Sequence, residues 1–351
     1  MGPKDVRSLN VVAIGGGTGL STILKGLKKY VPHPGQAAAE VAAEQGAVIG
    51  SLSAVVTVTD DGGSSGRLRK ELNVLPPGDI RNCIVALSED EALLSRLFQY
   101  RFAKGSGLEG HNFGNLFVTA LTAITGDFAE AVRMASDVLA IRGVIFPATT
   151  ANVELEATMK DGSIVRGETS ITASQQRIAE VRLLPPDAEP LPPTLEAIER
   201  ADLITMGPGS LFTSMVPNLL VRGIPEAIQA SKAVKVFVCN LMTQANESLG
   251  MSAVQHIHAL RAHAAGKRLF DYALLNDRPV SAELKKKYAG EGAEQIRADA
   301  ATVAELEALG LRVVTGHFLE EGNVARHATD RIARELLRIV EHTGAPVGAP
   351  R

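Results

Sequence analysis

The sequence predicts an α/β fold: a mostly parallel sheet covered on both faces by helices, with an antiparallel hairpin inserted. Three features point there. Short apolar runs recur along the chain, each followed by a polar or glycine-rich cluster and then by residues at helical spacing. The runs lack the one-in, one-out alternation of a half-wet strand, as strands buried between two helical layers should. The 351 residues are 45% hydrophobic and 21% charged, which matches a packed globular chain and excludes disorder as the main state.

The elements follow in order. Val-Val-Ala-Ile (11–14) reads as a first strand, Gly-Gly-Gly-Thr-Gly (15–19) as a turn, and residues 20–30 as a helix with apolar positions 20, 23, 24 and 27. Residues 32–50, rich in Ala, Gly and Gln, read as a mobile surface insertion with room for a short helix. A second strand is expected over 54–59, ending in Asp60 and Asp61. Helices are expected over 80–87, 91–102 and 128–139, and residues 110–115 introduce another apolar helix that runs to Ile124. The period changes near residue 150. Residues 153–159 alternate, and Asp161-Gly162 supplies a turn, so an antiparallel hairpin subdomain is expected over about 150–185. Five prolines in 185–193 mark a connector. Strands then return at 203–206, 234–238, 272–275 and 311–314, with a last helix over 331–341. Residues 1–9 and 343–351 are expected to be flexible, leaving a single domain over 10–342.

Composition excludes several classes. Cys83 and Cys239 are the only cysteines, so there is no disulfide framework or Cys-rich zinc site, and a reducing cytoplasm is expected. Net charge is −3 and aromatics are 4%, without Trp. Neither a global positive field nor a stacking platform invites nucleic acid. No apolar run is long enough to span a membrane, and the N-terminus has no apolar secretory region.

The candidate site residues fall just after strands, where open α/β sheets bind ligands. Gly16, Gly17, Thr18 and Gly19 join a strand to a helix, and glycines there let backbone amides approach a phosphate. The strict dinucleotide fingerprint fails because Leu20 stands at the third glycine position, and no Gly-Lys-Ser/Thr follows. A tight turn needing positive φ is the plainer alternative. Asp60 and Asp61 can hold Mg²⁺ or a ribose hydroxyl. The glycine-serine segment 62–66, with Ser64, then offers an anion nest beside Arg67 and Arg69. A solvated acidic turn paired to the arginines is the alternative. Asp79 reads as an N-cap, and Arg81 as a partner for the acids or for phosphate.

His111, Asn112 and Asn115 bring acid, base or amide groups, or form a structural hydrogen-bonded cluster. The segment 207–214, with Gly207, Gly209, Ser210 and Thr213, reads as a second strand-to-helix anion loop. Two such loops suggest a diphosphate. Asn218, Asn240 and Thr243 can meet a base or sugar, or serve as turn and cap residues. No zinc motif or nucleophile elbow occurs.

The ordered segments 15–20, 60–69, 76–83, 110–116, 207–214 and 239–244 resemble the gluconeogenesis-factor (YvcK-like) family. This is the regulatory branch of the superfamily that holds the CofD-like 2-phospho-L-lactate transferases. The resemblance runs from about residue 10 to about residue 340. It implies a Rossmann-like three-layer fold and a nucleotide diphosphate ligand, in the regulatory branch a UDP-sugar such as UDP-N-acetylglucosamine. It also implies a bacterial, cytoplasmic protein linked to carbon-source use and cell shape, with Mg²⁺ in the transferase relatives.

Two departures stand out. Gly62-Gly63-Ser64-Ser65-Gly66-Arg67 replaces the Ile-Ser-Pro-Asp-Leu-Asp-type segment of the transferases. Ala245-Asn246-Glu247-Ser248 replaces the Pro-Gly-Glu-Thr of the regulators. The resulting expectation is a nucleotide-sugar-binding regulator. Residues 16–19 and 207–210 would cradle the diphosphate, Asp60 and Asp61 would hold Mg²⁺ or sugar, and His111, Asn112 and Asn115 would line the same cleft. A protein partner would read the bound state, and a homodimer is expected by analogy. The alternatives are a Mg²⁺-dependent phospholactate transferase-like enzyme and an interaction scaffold that binds no nucleotide.

Overall fold

Val11 to Ile14 are all buried because their strand sits between two neighbours and beneath helices on both faces. The computed structural model, which describes residues 7–89 and 91–343, makes this strand β1 (Ser8–Gly15). The other strands are β2 (Val48–Val56), β3 (Val144–Pro147), β4 (Glu154–Met159), β5 (Ile164–Arg166), β6 (Ile178–Leu184), β7 (Leu203–Met206), β8 (Val234–Val238), β9 (Tyr272–Asn276), β10 (Arg312–Gly316), β11 (Leu319–Glu321) and β12 (Ala325–His327). Seven of them form one sheet in the order β10-β9-β8-β7-β1-β2-β3. Each pairing in it is parallel, as expected for apolar runs separated by helices.

The inserted subdomain is a separate three-stranded antiparallel sheet, β5-β4-β6. The Asp161-Gly162 turn closes its first hairpin, with Gly162 at φ 87°. Glu156 on β4 is clamped between Arg166 and Arg182, whose Nε atoms each donate at 2.6 Å. The strands β11 and β12 form a short antiparallel ribbon of their own.

Helices close the core. Gly17–Leu27 buries Leu20, Ile23, Leu24 and Leu27. Thr329–Thr343 buries Ile332, Leu336, Leu337 and Val340. The two cross at Gly26, where a Cβ would stand 2.6 Å from the Thr329 carbonyl, so only glycine permits the approach. A smaller cluster of Leu241, Met242, Val280, Leu284 and Leu319 packs apart from the main core. It braces the segment that follows β8.

The structure corrects four expectations. Residues 32–50 hold the short helix for which the pattern left room, Ala38–Gln45, but their end belongs to the sheet, because β2 begins at Val48, well before residue 54. The segment 62–66 is not a loop nest, because Gly63–Leu72 is helical. The strand β3 lies where the sequence pattern marks none. It is four residues long, and Pro147 is tolerated because β3 is an edge strand. Ser8 and Leu9, expected to be flexible, already pair with β2. The expected flexible ends otherwise fall outside the described residues, apart from Arg7 and from Thr343, which ends the last helix.

Candidate functional site

The strands β1 and β7 are neighbours, yet the chain runs from β1 to β2 on one side and from β7 to β8 on the other. Loops leaving their carboxyl ends therefore diverge and open a crevice, the usual ligand position in this kind of sheet. A cleft of about 600 Å³ lies there, within the size range of small-molecule sites. Its lining comes from residues 16–19 after β1, 208–210 after β7 and 240–244 after β8. Thr22, Asp79, Glu168, Ser214, Tyr288 and residues 324–327 complete it.

The first wall is the start of the helix Gly17–Leu27. No side chain caps it, so its leading amides need partners from outside the helix. The Gly17 amide finds one in the Asp79 carboxylate. Thr18 and Gly19 also line the cleft. The glycines here are set by close approach. A Cβ on Gly16 would stand 2.6 Å from Thr57 Cγ2 and 2.7 Å from Asp79 Oδ2, and one on Gly19 would fall on the Pro208 carbonyl. The turn after β1 and the turn after β7 are thus in contact.

The second wall differs from expectation. The amides at the start of the 211–220 helical segment are already taken by an internal anion. Glu247 accepts from the backbone of Phe212 at 2.7 Å and of Thr213 at 2.9 Å, and also from the Ser210 and Thr213 hydroxyls. Burial pushes its carboxyl up, against these four donors. The Gly209 amide donates to Asn240 Oδ1 at 3.0 Å, and Asn240 Nδ2 returns a bond to the Gly209 carbonyl at 2.8 Å. The segment 207–214 is therefore a satisfied wall, not a free anion loop. Gln244 extends it by donating from Nε2 to Ser210 Oγ at 2.9 Å, while its buried Oε1 has no partner among the described residues.

Two acids, a histidine and Arg326 set the electrostatics of the cleft. Asp79 lies inside the first turn of Gly78–Leu87, whose N-cap is Pro77, so it does not cap its own helix as expected. Burial and the nearby Asp60 push its carboxyl up to about 7, opposed by the Gly17 amide and Arg81. Glu168 opens the short helix Glu168–Ala173. Burial, with Asp60, Asp79 and Asp61 nearby, pushes it up to about 9. His327 donates from Nε2 to the Cys239 carbonyl at 3.0 Å. Burial holds its pKa down to about 4, so the ring is neutral at pH 7 with Nδ1 as an acceptor. The cleft thus sets backbone amide donors beside a pair of carboxyl groups, an arrangement that can take a phosphate and an adjoining hydroxylated group together.

Among the residues singled out from sequence, Gly16, Gly17, Thr18, Gly19, Gly209, Ser210, Asn240 and Thr243 line this cleft. Gly207, Thr213 and Asn218 do not. Asn218 is fully buried and donates to the Gly15 and Ser214 carbonyls, which fixes the start of the site without facing a ligand. Ser64, His111, Asn112 and Asn115 form a buried network away from the lining. Ser64 Oγ bonds His111 Nδ1 at 3.1 Å and accepts the Asn112 amide at 3.1 Å, and Asn115 Nδ2 donates to Ser65 Oγ at 3.1 Å. This network joins two helices and corrects the expectation that His111, Asn112 and Asn115 line the cleft. Arg67 donates to the Glu109 and Gly107 carbonyls and braces a loop.

Asp60 and Asp61, the candidate metal or sugar ligands, have separate partners within the chain. Asp60 Oδ1 accepts the Gly62 amide at 2.9 Å, while Asp61 Oδ1 accepts both the amide and the hydroxyl of Thr169. Among the described residues no three His, Cys, Asp or Glu side chains converge as a metal site. One carboxylate oxygen of each aspartate is engaged by the chain itself, and no third acid, His or Cys side chain among the described residues joins them as a ligand set.

Sequence reasoning misses Glu168, Gln244, Tyr288 and His327, and reads Asp79 as a cap. Glu168, Tyr288 and His327 have no local signal, because only the tertiary paths of the subdomain, of the helix Ala282–Gly290 and of β12 bring them to the cleft.

Comparisons with known proteins agree with this architecture. The family profile described as 2-phospho-L-lactate transferase CofD matches residues 11–319. A protein of Halalkalibacterium halodurans named gluconeogenesis factor is 45% identical over 97% of this chain and all of its own length. The gluconeogenesis factor of Bacillus subtilis is 45% identical over 94% of this chain and 98% of its own. A crystal structure of a Bacillus halodurans protein superposes with a TM-score of 0.85 at 46% identity, covering 94% of this chain and all of that one.

Proposed function

Because the chain belongs to the CofD family, with near-full-length relatives named gluconeogenesis factors, we propose that it is a regulatory protein whose cleft binds a nucleotide sugar. The observation that carries this reading is the uncapped start of the helix Gly17–Leu27, which opens into the cleft between β1 and β7. An anion gains there from unpaired amides and from the helix dipole. In this reading the phosphate meets the amides of Thr18 and Gly19. Asn240, Thr243 and Gln244 form the wall toward the nucleoside. The ligand acts by differential affinity for two states of the chain, one of which a protein partner reads. The protein works in the cytoplasm, in carbon-source use and cell shape.

Calorimetric titration with UDP-N-acetylglucosamine, UDP-glucose, GDP and NAD tests the reading. Saturable binding of a UDP-sugar without consumption of it supports a regulator. No heat from any nucleotide at millimolar concentration refutes it.

One observation favours a second reading. Asp79 and Glu168 put two carboxyl groups with raised pKa values in the cleft, a feature of acid–base sites. A transferase acting on a phosphorylated hydroxy acid, as the family description suggests, would use them. Product formation from a nucleoside-diphospho-phospholactate donor decides for that reading.

A further inference from the structure

The paired acids after β2 are expected from sequence to touch a ligand or a metal ion, and the structure gives Asp61 different work. Its Oδ1 accepts the Thr169 amide at 2.8 Å and the Thr169 hydroxyl at 2.6 Å. Gly167, two residues earlier, sits at φ 83°, and a Cβ there would fall on Asp61 Oδ2. Asp61 therefore fills the turn that ends the β4–β5 hairpin, and Glu168, the residue between these two contacts, lines the cleft. Asp61 itself does not line it.

A second strut comes from the same motif. Arg69 donates to Asn152 Oδ1 at 2.6 Å and to the Val153 carbonyl at 2.5 Å, where the chain enters the subdomain. The segment 60–69 thus holds the subdomain at its entrance and at the turn that delivers Glu168.

We propose that Asp61 is a positioning residue that holds Glu168 in the cleft, and that Glu168 hydrogen-bonds the sugar hydroxyls of the ligand, so that the pair decides between a nucleotide sugar and the bare nucleotide. The proposal rests on the cleft being the nucleotide-sugar site. Glu168 shares the lining with Asp79 and with residues 16–19, beside the amides that meet the phosphate. The group joined to that phosphate is the one within reach of its carboxyl. A carboxyl suits sugar hydroxyls in either protonation state, since one oxygen accepts and a protonated one donates. The charges that push Glu168 up are other acids, namely Asp60, Asp79, Asp61 and Glu247, and the cation in the same lining is Arg326. Among the described residues its carboxyl has no ion-pair partner, so its hydrogen-bonding capacity is left to a ligand.

The test measures affinity for UDP-N-acetylglucosamine and for UDP by calorimetry, on the full chain and on Glu168→Ala, Asp61→Ala, Thr169→Val and the double variant Asp61→Ala/Glu168→Ala. The expected wild-type preference is for the sugar nucleotide. Glu168→Ala should reduce that preference about tenfold with little change in UDP affinity, the loss expected for one charge-assisted hydrogen bond. Asp61→Ala and Thr169→Val should lose it in the same sense, and the double variant should lose no more than Glu168→Ala alone. Thr169 is exposed, so Thr169→Val reports even if Asp61→Ala fails to fold.

A wild-type preference that survives Glu168→Ala overturns the role of Glu168 and leaves the cleft reading intact. A preference lost in Glu168→Ala but kept in both Asp61→Ala and Thr169→Val overturns the positioning role. Wild-type protein that binds neither UDP nor its sugar derivative overturns the cleft reading, and this proposal with it.

Discussion

Glu247 accepts the backbone amide of Phe212 at 2.7 Å, so the chain's own carboxylate occupies the helix start that the sequence offers as a second phosphate loop. The Thr213 amide and the Ser210 and Thr213 hydroxyls turn to the same group. Removing it as Glu247→Ala leaves buried amides without an acceptor, at a cost of about 1–3 kcal/mol for each unsatisfied group. Thermal melting should show that loss. Millimolar phosphate should restore part of it in the variant and little in the wild type, because only the variant has an empty nest.

Gly17 and Gly19 stand two residues apart with opposite constraints. Gly17 has φ 61° and no close neighbour, whereas Gly19 has no room beside the Pro208 carbonyl. Gly17→Ala should cost about 1 kcal/mol of backbone strain and retain nucleotide binding. Gly19→Ala must push the turn after β1 away from the turn after β7. It should cost about 1–3 kcal/mol, as overpacking does, and reduce nucleotide affinity by more than tenfold. Paired melting curves and titrations distinguish the two, and equal losses of affinity would contradict the contact between the turns.

Asp79 and Glu168 predict how stability changes with pH. Each has a folded pKa above its ordinary value, about 7 against 3.8 and about 9 against 4.5. The unfolded chain releases these protons first, so stability is lost as pH rises from about 4 to 9, at about 1.4 kcal/mol per pH unit for each group between its two pKa values. His327 acts in the opposite sense. Its folded pKa of about 4 lies below the usual 6.5, so stability is lost as pH falls between those values. Asp79→Asn should raise the melting temperature at pH 8 more than at pH 5. An equal change at both pH values would show that charging Asp79 carries no cost.

Asn218, a candidate ligand contact by sequence, is an anchor in the structure. It donates at 3.2 Å to the Gly15 carbonyl and at 2.8 Å to the Ser214 carbonyl. Asn218→Ala should destabilise by about 1–3 kcal/mol through the lost bonds, and the folded fraction should bind nucleotide with unchanged enthalpy.

The parallel sheet is legible because β1, β7 and β8 are apolar runs that end in glycine or asparagine turns; the bounds of β7 and β8 match the sequence pattern, while β1 begins three residues before the apolar run. The segment 62–66 misleads because three glycines and two serines suggest a loop, while packing makes them the first turn of a helix. His111 and Asn115 look like site residues because polar side chains between glycines often are. Here their partners are Ser64 and Ser65, which no spacing in the sequence reveals. Glu168 is invisible for a related reason: it reaches the cleft from the far end of an inserted hairpin, held there through contacts with a residue 107 positions earlier.

The decisive experiment is a crystal structure of the complex with UDP-N-acetylglucosamine. Phosphate oxygens should lie within hydrogen-bond distance of the Thr18 and Gly19 amides, with the sugar toward Asp79 and Glu168. An ordered ligand seated elsewhere, such as the open hollow beside Arg278 and Arg331, with the cleft between β1 and β7 empty, would refute the assignment of that cleft as the nucleotide-sugar site.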